Sequence, residues 1–193
     1  MSLKDDVSDF LKHSREINYL NFEAFGFRFS PGQYGLIAEK IDSGDIPVRD
    51  SRALPMSSGA GASWKYGLNE FWFRPDFDIK KDYWRALLAH EGTHAVHDML
   101  NPGKIETAIA ESIGYIAEAI ALHAQGNMPI AAKAGGTDPM RAEAMRVVQA
   151  MWDPTGLHMM VLSQADADSL RGIVATHPHT IAQGATMDLS GLH

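Results

Sequence analysis

The densest chemistry in this chain lies in five consecutive residues, His90-Glu91-Gly92-Thr93-His94. On a helix, positions i and i+4 share a face, so the two imidazoles can reach one point in space. Two neutral imidazole nitrogens suit a zinc ion. Glu91 stands beside the first imidazole, where its carboxylate can reach a water on the ion without ligating the ion itself. The expected chemistry is a general base next to a water whose pKa zinc lowers to about 7. With nine histidines in the chain, the alternative is a chance spacing on an ordinary helix. The neighbours argue against chance. Leu87, Leu88, Ala89, Ala95, Val96 and Met99 bury the surrounding turns, and burying two histidines and a glutamate without a metal or hydrogen bonds is costly. The chain has no cysteine, so any ion must be held by His, Asp or Glu.

The elements that must position these residues can be read from periodicity and caps. Val7, Phe10, Leu11 and Ile17 recur at helical spacing over residues 4–18. Ser30-Pro31 opens a second helix, closed by Ser43-Gly44, with Tyr34, Ile37, Ala38 and Ile41 as its buried face. Residues 51–63, rich in Ser, Gly and Ala, read as a loop. The aromatic run over residues 66–74, ended by Pro75, reads as a strand. The histidine helix is expected over residues 79–100, broken by Asn101-Pro102-Gly103, with a second long helix over 104–125. A loop over 126–136 precedes a helix opened by Asp138-Pro139 and reaching Met151. Ser163 to Asp166 has the form of a capping box opening a last helix toward Thr176. The tail, residues 177–193, shows no period, and Met159-Met160 reads as core filler. The fold class is α+β, helix-dominated, with a small β-sheet preceding the histidine helix.

HEGTH, preceded by a strand and followed by a break and a second helix, resembles the zincin metallopeptidase superfamily. The resemblance covers residues 66–125 and rests mainly on the five-residue motif. The metzincin branch would need glycine at position 97 and histidine at position 100, where this chain has His97 and Leu100; that branch is excluded. The gluzincin-like arrangement remains, which implies a third ligand from a glutamate of the next helix: Glu106, Glu111 or Glu118. At about 100° per residue, Ile105, Ile109, Ile113, Ile116 and Ile120 form one stripe and Glu111, Tyr115, Glu118 and Leu122 another, with Glu106 elsewhere and solvated. If the break returns the second helix antiparallel, a turn near residue 102 brings the middle of the histidine pair opposite residue 112. Glu111 is then the third ligand, and Glu118, about 10 Å further along, is too far to share the ion but could line the cleft. Three protein ligands leave a fourth position for water.

The resemblance implies a Zn2+-dependent hydrolase of peptide or amide bonds, with Glu91 taking a proton from the attacking water and returning it to the leaving amine. Its partner is a peptide or protein substrate, bound along the edge of residues 69–73; a strand that only packs on the helix is the alternative. Asp98 either orients a ligand imidazole from behind or is a solvated helix-end charge. His97 reads as a pocket-edge or core residue. Tyr115, His158, His177 and His179 are each able to stabilise an oxyanion, and the sequence does not rank them. His177-Pro178-His179 reads as a turn or a second metal site. Two rival readings stand beside hydrolysis: a non-catalytic zincin-like module for metal or protein binding, and a specific proteolytic effector or toxin domain.

Length and charge bound the rest. At 193 residues, 45% hydrophobic and 21% charged, the chain suits one minimal zincin-like domain over 1–193. A net charge of -7 with no Lys/Arg-rich run argues against nucleic acid as a partner. No apolar run approaches the ~20 residues that span a bilayer. The expectation is a soluble protein of the cytoplasm with no membrane partner, although zero cysteines does not exclude secretion.

Overall fold

In the computed structural model, residues 2–50, 61–126 and 138–191 are described. Helix α1 (Leu3–His13) opens with a reciprocal cap: the Ser2 hydroxyl accepts the Asp5 N–H, and Asp5 accepts the Ser2 N–H. The single helix expected over residues 4–18 breaks at Ser14. Its backbone turns extended and its hydroxyl caps the short α2 (Arg15–Asn18), because a serine side chain offers the backbone an alternative partner to the helix ladder. Helix α3 (Pro31–Ser43) runs as its caps foretell, from a Ser30–Gln33 capping box to a left-handed Gly44. Tyr34, Ile37, Ala38 and Ile41 on it are fully buried.

Strands β1 (Phe22–Ala24) and β2 (Phe27–Phe29) form a hairpin, and β7 (Met160–Val161) joins β1 in parallel, so Met160 is core as expected. A second sheet combines β3 (Val48–Asp50), β4 (Ala62–Lys65) and β5 (Glu70–Phe73) in the order β3-β5-β4. The strand expected over residues 66–74 is thus shorter. Gly67 (φ 76°) and Asn69 (φ 53°) take left-handed backbone, which turns the chain between β4 and β5. Of the loop expected over 51–63, residues 51–60 lie outside the described residues, while 62 and 63 already belong to β4. The loop expected over 126–136 also lies outside them beyond Gly126.

Helix α4 (Asp82–Leu100) carries HEGTH and starts later than expected. It stops where Asn101 Nδ2 donates to the His97 carbonyl at 3.2 Å and Pro102 denies a further N–H. Gly103, at φ 136°, takes a backbone open to glycine alone at little cost. Residues 103–106, expected as helix, form β6 (Gly103–Glu106) instead, paired antiparallel with β8 (Thr186–Leu189). Helix α5 (Thr107–Ala124) follows, then α6 (Pro139–Met151), α7 (Gln164–Thr176) and α8 (Pro178–Gln183). Asp138 and Ser163 cap α6 and α7 as read. The tail showed no period because it folds into six residues of helix and four of strand, too short for a repeat to register.

Helices α4 and α5 form the centre. α1 and α3 pack on α4, α6 and α7 pack on α5, and β4 brings the second sheet against α4. Ile113, Ile116 and Ile120 enter the main core, as their stripe foretells, whereas Ile105 joins a smaller cluster with Ala110 and Leu189. The result is the α+β, helix-dominated fold expected. Among the described residues, no helix is long and apolar enough to cross a membrane.

Candidate metal centre

HEGTH is fixed in place by its own helix and by α3. The Thr93 hydroxyl donates to the Ala89 carbonyl at 2.7 Å and meets the Tyr34 hydroxyl at 2.8 Å, both fully buried. This locks the rotation of α4, so His90 and His94 face α5. There they meet Glu111, with His90 Nε2 3.6 Å and His94 Nε2 4.0 Å from its two carboxylate oxygens. One ligand atom from each of the three lies within 4.8 Å of the others. Donors around a tetrahedral ion with bonds of about 2.1 Å stand about 3.4 Å apart, so the three buried groups fit a single cation after small adjustment. Among the described residues, no fourth His, Asp or Glu joins the group. The His90 ring also needs Gly114 on α5, because a Cβ there would stand 2.5 Å from His90 Nε2.

Glu118 is not on the cleft wall, as one reading of the sequence had it. It lies behind His90, buried, with Oε2 3.4 Å from His90 Nδ1 and Oε1 accepting from Arg141 Nε at 2.6 Å. The 3.4 Å pair is not aligned as a hydrogen bond, yet both atoms are buried and have no other partner, so each is the other's counterpart. Arg141 in turn holds Asp138 through Nη1 at 2.8 Å, and its guanidinium lies over the rings of Tyr83 and Tyr115. Arg141 had no sequence signal beyond its place one turn into a capped helix. Glu106, read as solvated, points away from the site and pairs with Arg171 of α7.

These charges shift the site's titrations in opposite senses. Burial and the His90 charge push His94 down to about 3. Burial also works against a charge on His90, but Glu111 and Glu118 outweigh it and hold the imidazole protonated. Glu111 is in turn held well below the usual carboxylate range despite its burial, through His90 and His94. Without a cation, a proton on His90 balances the carboxylates; a metal ion would take that place. Burial pushes Glu91 up to about 7, opposed by His90 and by the Trp64 N–H. That N–H, on β4, donates to Glu91 Oε2 at 2.7 Å, and this orients the carboxylate beside the histidine pair.

The group opens on a cleft of about 880 Å3, walled by β4, by the turn after it, by α6 and by the C-terminal α8 and β8. Of the residues able to stabilise an oxyanion, Tyr115, His177 and His179 line this cleft. His158 does not; it sits on an exposed loop, its N–H donating to Asp153 at 2.7 Å. His177 and His179 flank the start of α8, with His177 Nδ1 capping that helix. Tyr66 also lines the cleft, its ring edge-on to His94 at 5.7 Å; the sequence reading used it only as the start of a strand.

Two further expectations are corrected, and a third is narrowed to one of its two readings. Residues 69–73 offer no free edge, because β5 is the central strand, paired on both sides; the strand beside the site with one partner among the described residues is β4. Asp98 orients no imidazole and is not solvated. It is fully buried, accepting from Trp64 Nε1 at 3.1 Å and from the Gly191 N–H at 3.2 Å, so it ties β4 and the tail to α4. His97 faces away from the cleft, against Phe27 and Phe29, and is core. Compared with family models, curated proteins and solved structures, the chain matches none.

Proposed function

We propose that this protein is a zinc-dependent hydrolase of peptide or amide bonds, with His90, His94 and Glu111 as the metal ligands and Glu91 as the general base. The observation that carries the reading is the convergence of these four buried side chains at the base of an open cleft. An N2O donor set of this kind suits zinc, and three protein ligands are the mark of a catalytic rather than a closed site. A zinc ion held there supplies Lewis acidity, acidifying a water and polarising a carbonyl. The chain's own residues do the rest. Glu91, held by the Trp64 N–H, receives the proton of the attacking water on its free carboxylate oxygen and passes it to the leaving nitrogen. Strand β4, which has one partner strand among the described residues, lines the cleft; an extended peptide is the natural guest of such an edge.

The test is metal content followed by one substitution. The purified chain, stripped by chelator and refilled, should bind one zinc. Glu91→Gln should keep that zinc and lose about 10²- to 10⁴-fold of its hydrolysis of a mixed peptide library, the usual worth of a general base. A chain that takes up no zinc on refilling, or a Gln variant as active as wild type, ends this reading.

A further inference from the structure

Glu91 has one hydrogen bond among the described residues, from the Trp64 N–H to Oε2 at 2.7 Å. The same tryptophan is held at its other end. Its indole Nε1 donates to Asp98 Oδ2 at 3.1 Å, two turns and about 10 Å further along α4. Trp64 is therefore pinned along α4 between the proposed base and a fully buried carboxylate. The other oxygen of that carboxylate, Oδ1, accepts the Gly191 N–H at 3.2 Å, so one side chain is shared between β4 and the tail. The tail is also clasped to the turn after β4: Ser190 Oγ donates to Asn69 Oδ1 at 3.0 Å, and Asn69 Nδ2 donates to the Gly191 carbonyl at 3.2 Å. Ser190 and Gly191 thus bridge the turn that follows β4 and the helix that carries Glu91. The separation of those two elements sets the length of the bond between Trp64 and Glu91.

We infer that Ser190 and Gly191 are positioning residues for Glu91: docked between Asn69 and Asp98, they hold Trp64 against α4 and so keep its N–H on the carboxylate. The inference rests on the hydrolase reading above. A hydrogen bond of 2.7 Å is gone once its partners part by about 1 Å, and a displacement of that size at a reacting group costs about 10²-fold in rate. The candidate metal ligands are held by other means, the histidine pair through Thr93 and Tyr34 and Glu111 by α5. Release of the tail therefore disarms the base and spares the metal.

The test compares wild type with Gly191→Pro in the full chain. Proline has no N–H for Asp98 and cannot take the left-handed backbone of Gly191 (φ 71°), so the substitution undocks residues 190–191. In the metal-free protein, hydrogen exchange of the Trp64 amide should quicken at least about tenfold while the Ile116 and Ile120 amides of α5 keep their wild-type rates, the mark of a local release. In competition with a chromophoric chelator, zinc affinity should stay within about twofold. Hydrolysis of a mixed peptide library by the zinc-loaded variant should fall at least about tenfold. If Gly191→Pro does not fold, the same three readings on Trp64→Phe decide, since that change cuts the indole bond to Asp98 and leaves the tail its own. An unchanged exchange rate at position 64, or equal quickening at Ile116 and Ile120, makes the tail a support of the fold alone and overturns the inference. A loss of zinc affinity of about tenfold, or undiminished hydrolysis, overturns it as well. A wild type that holds zinc and hydrolyses nothing ends the hydrolase reading itself, and the role of the tail with it.

Discussion

Glu111 and Glu118 sit seven residues apart on one stripe of α5, and the site uses them differently. Glu111 faces both imidazole Nε2 atoms, while Glu118 faces His90 Nδ1 and is itself held by Arg141. A carboxylate behind a ligand imidazole fixes its tautomer and raises its basicity. Glu118→Gln should therefore weaken zinc binding by about 10- to 100-fold with the fold retained, since Arg141 keeps Asp138; unchanged affinity in a chelator competition would remove this role. His97 supplies a second residue-scale prediction. Burial holds it neutral, down to about 4. Its contribution to stability is whole above about pH 6.5, and it is lost as pH falls toward 4, because the unfolded chain takes up a proton that the folded one refuses. The loss is on the order of 3 kcal/mol. His97→Phe, between Phe27 and Phe29, should flatten the fall in denaturant midpoint between pH 6.5 and 4; an equal slope in the variant counts against a buried neutral His97.

At the scale of elements, α4 and α5 must approach closely enough for His90 to lie across the α5 backbone, and Gly114 permits it. Gly114→Ala tests this directly. Alanine favours the helix by about 1 kcal/mol, so helix content should hold while zinc affinity falls at least about tenfold as the new methyl displaces the His90 ring. Full affinity in the variant would show that the ring has room to move. The long elements were legible because 18 or 19 residues carry several turns of a 3.6-residue period. Short ones were not. β6 was absorbed into the helix that follows it, and β4 fell half inside the expected loop and half between it and the expected strand, since four residues hold too few alternations to separate strand from helix.

For the whole molecule, the tail closes the cleft wall and Asp98 is its anchor on α4. Asp98→Ala leaves Trp64 Nε1 and the Gly191 N–H without their acceptor, and should cost about 1–3 kcal/mol in chemical unfolding, with the C-terminal segment becoming open to proteases. A tail equally resistant in the variant would place its anchor elsewhere. Metal linkage acts on the same scale. Zinc at 100 times its dissociation constant should stabilise the fold by about 2.7 kcal/mol, read as a melting temperature that drops on chelation and returns on refilling. An unchanged melting temperature would mean that no metal binds the native state.

What the sequence determined by itself was set by local period. The 3.6-residue repeat puts His90 and His94 on one face of α4 and Glu111 with Glu118 on one face of α5, and the Asn101-Pro102-Gly103 break returns the second helix past the first. Only the tertiary structure decided what those faces meet. The Trp64 N–H on Glu91 spans 27 residues and the Gly191 N–H on Asp98 spans 93. Arg141 reaches Glu118 from another helix, and Tyr66 reaches His94 from a turn. No repeat within a strand or helix encodes such pairings, because they depend on how separate elements share one core, and for that reason the candidate ligands were legible and the residues packed around them were not.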